Sequence, residues 1–249
     1  MELRGKRVIV TGGVRGLGRA MVNQLIANQA AVTVFDVNVA GLDELSKQPG
    51  GVKCIECDLA NHEKVIKATN EYHEMFGAAE VLINNAGILY SEPLIKFTPG
   101  GVARHDIAMW NKVLASDLSS VFYMTACVVE KMITTRTRGV IVNISSVSAA
   151  GNAGQSAYSA AKAGVNALTA VWAKELSPMG IRVVAVAPGF TETDSTKEAV
   201  SESALRETIK KVPLRRLGKP EEIAKGVISV IENDFFNGKV FELDGGLIV

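Results

Sequence analysis

The sequence predicts an α/β fold in a single domain, a doubly wound parallel sheet of about seven strands with helices on both faces. Short apolar runs rich in β-branched residues alternate with longer amphipathic stretches along the whole chain. The runs are continuous rather than alternating, as expected of strands covered on both faces. Regular β-α alternation implies right-handed crossovers, and these generate a doubly wound sheet.

The predicted strands are Arg7–Thr11, Ala31–Asp36, Val52–Glu56, Val81–Asn84, Val140–Ile144, Arg182–Ala187 and Val240–Glu242. Helical periodicity places helices near Gly18–Asn28, Val39–Lys47, Asn61–Phe76, Asp106–Met132, Tyr158–Leu176 and Pro220–Ile231. The last opens with Pro220 followed by Glu221 and Glu222, a favourable helix start. The segment Ser91–Ile107, with Pro93, Pro99, Gly100 and Gly101, reads as a loop. So does Phe190–Pro213, whose middle has helical character. Loops of this length are uncommon unless functional, and both are expected to flank a substrate cleft (about 88–107 and 190–213).

At 249 residues the chain is long enough for a core that needs no staples. Apolar residues make up 47% and charged residues 21%, which excludes a disordered chain. The net charge is +1, with both signs spread along the chain, so neither nucleic acid nor a membrane surface is an expected partner. No uninterrupted apolar run approaches the ~18 residues of a membrane span, and no cleavable leader is visible at Met1–Arg7. Three cysteines cannot close a disulfide framework, which implies a reducing compartment, the cytoplasm. Cys54 and Cys57 form a C-x-x-C within a strand. Redox chemistry expects such a pair at a helix N-terminus, and zinc needs a second ligand pair, so the reading is structural and no metal is expected.

The first strand runs into Thr11-Gly12-Gly13-Val14-Arg15-Gly16-Leu17-Gly18. A glycine-rich turn between strand and helix lets backbone approach a pyrophosphate at the positive end of the helix, the dinucleotide-binding arrangement of a Rossmann-type sheet. Asp36 ends the second strand, where an acid hydrogen-bonds the adenosine ribose. A 2′-phosphate ~4 Å from this carboxylate meets a repulsion of order 4 kcal/mol at an effective dielectric of ~20. Arg15 could reach such a phosphate but is free to turn aside. NAD(H) is therefore expected over NADP(H).

Tyr158 and Lys162 lie four apart on a predicted helix and share a face. Ser145 ends a strand thirteen residues before Tyr158, at the carboxyl edge where doubly wound sheets bind ligands. A phenol with a pKa near 10 is a poor base at neutral pH. A lysine ammonium at ~4 Å supplies the roughly 4 kcal/mol that lowers it by about 3 units.

These motifs, with Asp58-Leu59, Asn84-Asn85-Ala86-Gly87, Pro188-Gly189 and Asp244-Gly245-Gly246, resemble the short-chain dehydrogenase/reductase family over essentially the whole length, and within it the 3-oxoacyl-reductase-like branch. The resemblance implies that Gly12, Arg15, Gly16, Leu17 and Gly18 line the cofactor phosphates and adjacent ribose, and that Asp58 and Leu59 flank the adenine. It implies that Asn85, Ala86 and Gly87 border the central portion, and that Pro188, Gly189, Thr191 and Thr193 border the nicotinamide. Ser145 would hold the substrate oxygen, Tyr158 pass the proton, and Lys162 bind the nicotinamide ribose. The family commonly forms tetramers through two long helices, so a homotetramer is expected.

The sequence departs from the family at Asp117, where a helix usually carries Asn. An aspartate could hold the same relay water, but its charge would partly offset the pull of Lys162 on Tyr158. The expected function is an NAD(H)-dependent interconversion of a secondary alcohol and a ketone. Two alternatives stand beside it. One is an NADPH-dependent 3-oxoacyl-carrier-protein reductase, with Arg136 and Arg138 as a basic patch, although Met179 stands where that branch often has Arg. The other is a weakly active nucleotide-binding homologue, suggested by Asp117. Asn152, Gln155 and Phe190, with Ile88 and Tyr90, are expected to line the substrate pocket.

Overall fold

In the computed structural model, residues 1–194, 196 and 202–247 are described. Among them the strands are β1 (Arg7–Thr11), β2 (Ala31–Asp36), β3 (Lys53–Glu56), β4 (Val81–Asn84), β5 (Ile95–Thr98), β6 (Gly101–Arg104), β7 (Gly139–Ile144), β8 (Ile181–Pro188) and β9 (Val240–Leu243). The helices are α1 (Gly16–Ala27), α2 (Val39–Ser46), α3 (His62–Phe76), α4 (Ile107–Leu114), α5 (Ser120–Thr134), α6 (Ser156–Leu176), α7 (Glu202–Lys211) and α8 (Pro220–Glu232).

Seven strands form one parallel sheet in the order β3-β2-β1-β4-β7-β8-β9. Strands β1, β4 and β7 are buried almost throughout, which explains their unbroken Val/Ile runs. On one face Val8, Val10, Ile83 and Val142 pack against α1, α2 and α8. On the other, Ile9, Leu82, Ile141 and Val183 pack against α3, α5 and α6. Strand order reverses between β1 and β4, and such a switch point opens a crevice at the carboxyl edge.

Helix boundaries fall within two residues of those expected, with one larger difference. The stretch predicted as one helix over Asp106–Met132 is α4 and α5 joined through a π-helical turn, Ala115–Ser119, which carries Asp117. A π turn inserts an extra residue and re-aims its side chains, and such turns are frequent at functional sites. By length and composition the continuous helix Ile107–Thr134 could cross a membrane, but 44% of its apolar window is buried inside this fold.

The segment Ser91–Ile107, expected as a loop, contains the antiparallel hairpin β5–β6, closed through Pro99 and Gly100. Its alternating Ile95, Phe97 and Val102 are too few to announce a strand pair from sequence. Phe190–Pro213 ends in α7, while residues 195 and 197–201 lie outside the described residues. Arg136 and Arg138 precede the first residue of β7, and Met179 precedes that of β8. They sit at the amino edge of the parallel sheet, away from its carboxyl edge, so the basic patch expected beside the cleft is not formed by them.

Candidate active site

The chain leaves β1 through Gly12 (φ 66°) and Gly16 (φ 55°), both in the left-handed region that favours glycine. At Gly18 it is space that excludes a side chain. A Cβ there would lie 2.0 Å from the Gly12 carbonyl oxygen and 2.6 Å from Asn85 Nδ2. Asn85 braces the turn, its Nδ2 donating to the carbonyls of Thr11 (3.0 Å) and Gly12 (2.9 Å). The Thr11 hydroxyl accepts from the backbone N–H groups of Asn85 (2.9 Å) and Ala86 (3.0 Å). Helix α1 has no side-chain cap and no acidic residue in its first turn. Its first N–H groups and positive dipole end thus open onto the cavity lined by Arg15, Gly16, Leu17 and Gly18, as a phosphate requires. Asp36 is fixed by its strand and by two backbone donors, Val14 N–H (3.3 Å) and Asn38 N–H (3.0 Å). These features fit a dinucleotide.

At the other end of the cavity α6 presents Tyr158 and Lys162. Lys162 is buried; its Nζ donates to the Ile144 carbonyl (3.0 Å), lies 5.6 Å from the Tyr158 ring centroid and stands 3.6 Å from Asp117 Oδ2. Asp117 is 0% exposed, and its Oδ1 accepts from Ile88 N–H (2.8 Å). Its Oδ2 has no hydrogen-bond partner among the described residues. Gly87 makes room for it, since a Cβ at 87 would lie 2.7 Å from Oδ2. Burial pushes the Asp117 carboxyl above the ordinary carboxylate range, against the pull of Lys162 and the Ile88 N–H.

Burial also pushes the Tyr158 phenol up. Lys162 and a hydrogen bond with Ser146 pull it down, and the Asp117 carboxylate pushes it up again. The net direction is upward. Burial and the Asp117 carboxylate thus act on the phenol against the pull of Lys162, the offset expected of an acid at position 117.

The two adjacent serines divide. Ser145 is 2% exposed, and its Oγ donates to the Lys162 carbonyl (3.4 Å). Ser146 has extended backbone; its Oγ accepts from Ser148 N–H (3.1 Å) and its hydroxyl is the one engaged with Tyr158. Consecutive extended residues point to opposite sides, and Ser145 continues the inward series Ile141, Asn143 of β7. Counting thirteen residues back from Tyr158 selects the inward serine. Both serines line the cavity, and the alternation that continues from β7 turns Ser146 to the opposite side from Ser145.

One cavity of about 480 Å³ is lined by Gly12, Arg15, Gly16, Leu17, Gly18, Asp36, Asp58, Leu59, Asn85, Ala86, Gly87, Asp117, Ser145, Gln155, Tyr158, Lys162, Pro188, Gly189, Phe190, Thr191 and Thr193. Ile88 also lines it, along with Cys57, Leu89, Lys112, Ser146 and Val147, of which Ile88 alone was among the expected residues. Asn152 is not among the lining residues; its Nδ2 donates to Gln155 Oε1 (3.0 Å) instead. Gln155 Nε2 donates to Ser91 Oγ (3.1 Å), and Gln155 is bridged to Glu92 at the base of the hairpin. The Glu92 carboxylate accepts from Asp106 N–H (2.6 Å) and pairs with Lys96, which together hold it down at about 2. Tyr90, also expected to line the pocket, is not among the lining residues; its ring packs edge-on to His105 beside this base. Cys54 packs on the α1 side of the sheet and Cys57 on the α3 side, so the C-x-x-C sulfurs are separated by the sheet. Burial raises the Cys57 thiol to about 11, leaving it neutral.

Comparison with known proteins gives the class. The sequence profile of the short chain dehydrogenase family matches residues 6–204. The 3-oxoacyl-[acyl-carrier-protein] reductase FabG of Thermotoga maritima is 37% identical over 100% of both chains. Its namesakes from Aquifex aeolicus and Vibrio harveyi are 35% and 34% identical over 99% of both. A solved structure titled "Crystal structure of gox2181" superposes with a TM-score of 0.88 at 30% identity, covering 98% of this chain and 96% of that one. The chain belongs to the short-chain dehydrogenase family. It is an oxidoreductase acting on an alcohol/ketone couple with NAD(P), and the fold is the α/β sheet anticipated from the sequence.

Proposed function

We propose that the enzyme interconverts a secondary alcohol and a ketone with NAD(H), with Tyr158 as the proton carrier, Lys162 beside it and Ser146 as the hydroxyl that holds the substrate oxygen. The observation that carries this reading is the convergence of Tyr158, Lys162, Ser146 and Asp117 at one end of a cavity whose other end is a glycine cradle. Ser145 is assigned to the wall beneath, where its hydroxyl steadies α6 through the Lys162 carbonyl.

When bound, the dinucleotide supplies or accepts the hydride. Gly12, Arg15, Gly16, Leu17 and Gly18 would hold its phosphates, Asp36 its adenosine ribose, and Asp58 and Leu59 its adenine. Asn85, Ala86 and Gly87 would border its middle, and Pro188, Gly189, Thr191 and Thr193 its nicotinamide. In reduction Tyr158 donates its proton to the carbonyl oxygen, and Ser146 donates a hydrogen bond to the same oxygen as charge develops there. The phenol carries its proton at neutral pH, and Lys162 counteracts the burial that would make it a weaker acid. In oxidation Tyr158 must first become a phenolate, which Lys162 favours and Asp117 opposes.

Preference for NAD(H) follows from Asp36, whose carboxylate is locked by two backbone N–H groups and cannot turn from a 2′-phosphate, while Arg15 is exposed. The test is the ratio of kcat/KM for NADH and NADPH on one ketone: NADH is expected to win by at least tenfold, and an NADPH preference refutes the assignment.

A second reading, reduction of a carrier-linked 3-oxoacyl group, is favoured by the names of the full-length relatives. Activity on a 3-oxoacyl carrier-protein thioester exceeding that on free ketones would select it. The hairpin and the segment 190–213 are assigned as the substrate loops. We further assign a cytoplasmic homotetramer. The apolar groove between α5 and α6, with Leu118, Phe122, Leu168 and Val171, supports self-association. Light scattering at the mass of a monomer overturns it.

A further inference from the structure

Two buried amides lie side by side across the central strands. Asn84 and Asn143 are register partners on β4 and β7 and are 3% and 0% exposed. Asn84 Nδ2 donates to Asn143 Oδ1 (2.9 Å) and to Thr125 Oγ1 on α5 (2.9 Å). Asn143 Nδ2 donates to Thr169 Oγ1 on α6 (2.9 Å), and Thr169 donates to the Val165 carbonyl (2.8 Å). Thr125 and Thr169 are themselves buried, and every donor from Asn84 to Val165 points one way, an arrangement in which each bond strengthens the next.

The placement of this ladder is what matters. Thr125 stands eight residues beyond Asp117 along the same continuous helix, and Thr169 seven residues beyond Lys162, each about two turns away. Strand β7 delivers Asn143 two residues before Ser145. The ladder thus fastens the helix bearing Asp117 to β4 and the helix bearing Lys162 and Tyr158 to β7, and then joins the two strands. Apolar packing alone would let the helices slide, because hydrophobic contact is non-directional whereas hydrogen bonds fix register.

We propose that Asn84, Asn143, Thr125 and Thr169 are positioning residues that set the separation of Asp117 from Lys162 and Tyr158, and so tune the proton chemistry of the site. This rests on the reading of Tyr158 as the proton carrier. Lys162 from α6 and Asp117 from the π turn are the charged groups facing the phenol. Losing the Thr169 link lets α6 move as a body relative to Asp117. Tyr158 and Lys162 travel together, and the phenol loses part of its negative neighbour.

Thr169→Val removes the hydroxyl at constant shape, and Thr169→Ser restores it; Thr125→Val breaks the same ladder from α5. The titration of Tyr158 is read without substrate as the ultraviolet difference between each protein and its Tyr158→Phe counterpart. An extra ~1 Å between the charges raises the phenolate fraction at fixed alkaline pH by about threefold in both Val variants. Thr169→Ser should titrate like the parent. A lower melting temperature in either Val variant with an unchanged Tyr158 titration overturns the proposal, since a merely structural bond would behave so. If one variant fails to fold, the other decides. Full activity of Tyr158→Phe itself on a secondary alcohol refutes the underlying reading instead, and leaves a distinguishable signature.

Discussion

The two ends of the cavity are built on different principles. The nucleotide end is backbone: glycines at 12, 16 and 18, the uncapped start of α1, and an asparagine that braces carbonyls. The chemical end is side chains whose properties depend on one another: a buried lysine, a buried carboxylate, a phenol and a serine within one hydrogen-bonded turn. Backbone constraints tolerate almost no substitution but ask for no fine tuning. The side-chain end tolerates substitution of geometry-neutral neighbours and is sensitive to charge.

The largest effect is expected from breaking the backbone end. Gly18→Ala places a Cβ 2.0 Å from a carbonyl oxygen that Asn85 also holds. Neither backbone can yield without displacing the turn. Overpacking of this kind costs about 3 kcal/mol or more. The variant should melt well below the parent and should lose dinucleotide binding in a fluorescence titration with NADH. Retention of binding at parental affinity would show that the cradle is more pliable than its contacts indicate.

A smaller and more discriminating effect separates the two serines. Ser146→Ala removes the hydroxyl engaged with Tyr158 and is expected to lower kcat by about 100-fold, with little change in the KM for dinucleotide. Ser145→Ala removes a long 3.4 Å bond to a main-chain carbonyl and should leave kcat close to that of the parent. The reverse ranking would return the substrate-holding role to Ser145.

The same contrast explains what could be read from the sequence. The sheet, the glycine-rich turn and Asp36 were legible because their signals are local: a glycine where a turn is needed, an acid at a strand end, continuous Val/Ile in a doubly covered strand; Asp58, Leu59, Asn85, Ala86, Gly87, Pro188, Gly189, Thr191 and Thr193, which also line the cavity, came from the family resemblance alone. The proposed roles of the two serines depend on which way each side chain points, and a count along the chain is blind to that. Asn152 was displaced for a similar reason, as its amide is consumed by Gln155 one turn away. The β5–β6 hairpin escaped notice because each strand is four residues long and its exposed Phe97 faces outward, leaving no amphipathic pattern. The π turn that aims Asp117 has no sequence signature in this chain beyond Asp117 itself.

Asp117 supplies the finest test of the chemical end. Two consequences of its charge can be separated by pH. The first concerns Tyr158: the carboxylate pushes the phenol up, so Asp117→Asn should let it fall. Alcohol oxidation, which needs the phenolate, should then reach half its maximal rate about one pH unit lower than in the parent. The second concerns stability. Burial raises the Asp117 carboxyl in the folded chain, so folding favours its neutral form. The stabilisation tied to that proton is complete below the ordinary carboxylate pKa and is lost as pH rises through the raised one. The melting temperature of the parent should accordingly decline over that interval relative to Asp117→Asn, which carries no such proton. Loss of the partner of Lys162 adds a pH-independent offset across the same range and does not alter the difference in slope. If the variant lost activity at every pH, the carboxylate would be serving the reaction by more than its charge. If the two rate profiles superposed, the coupling of Asp117 to Tyr158 across the 3.6 Å contact with Lys162 would carry no functional weight.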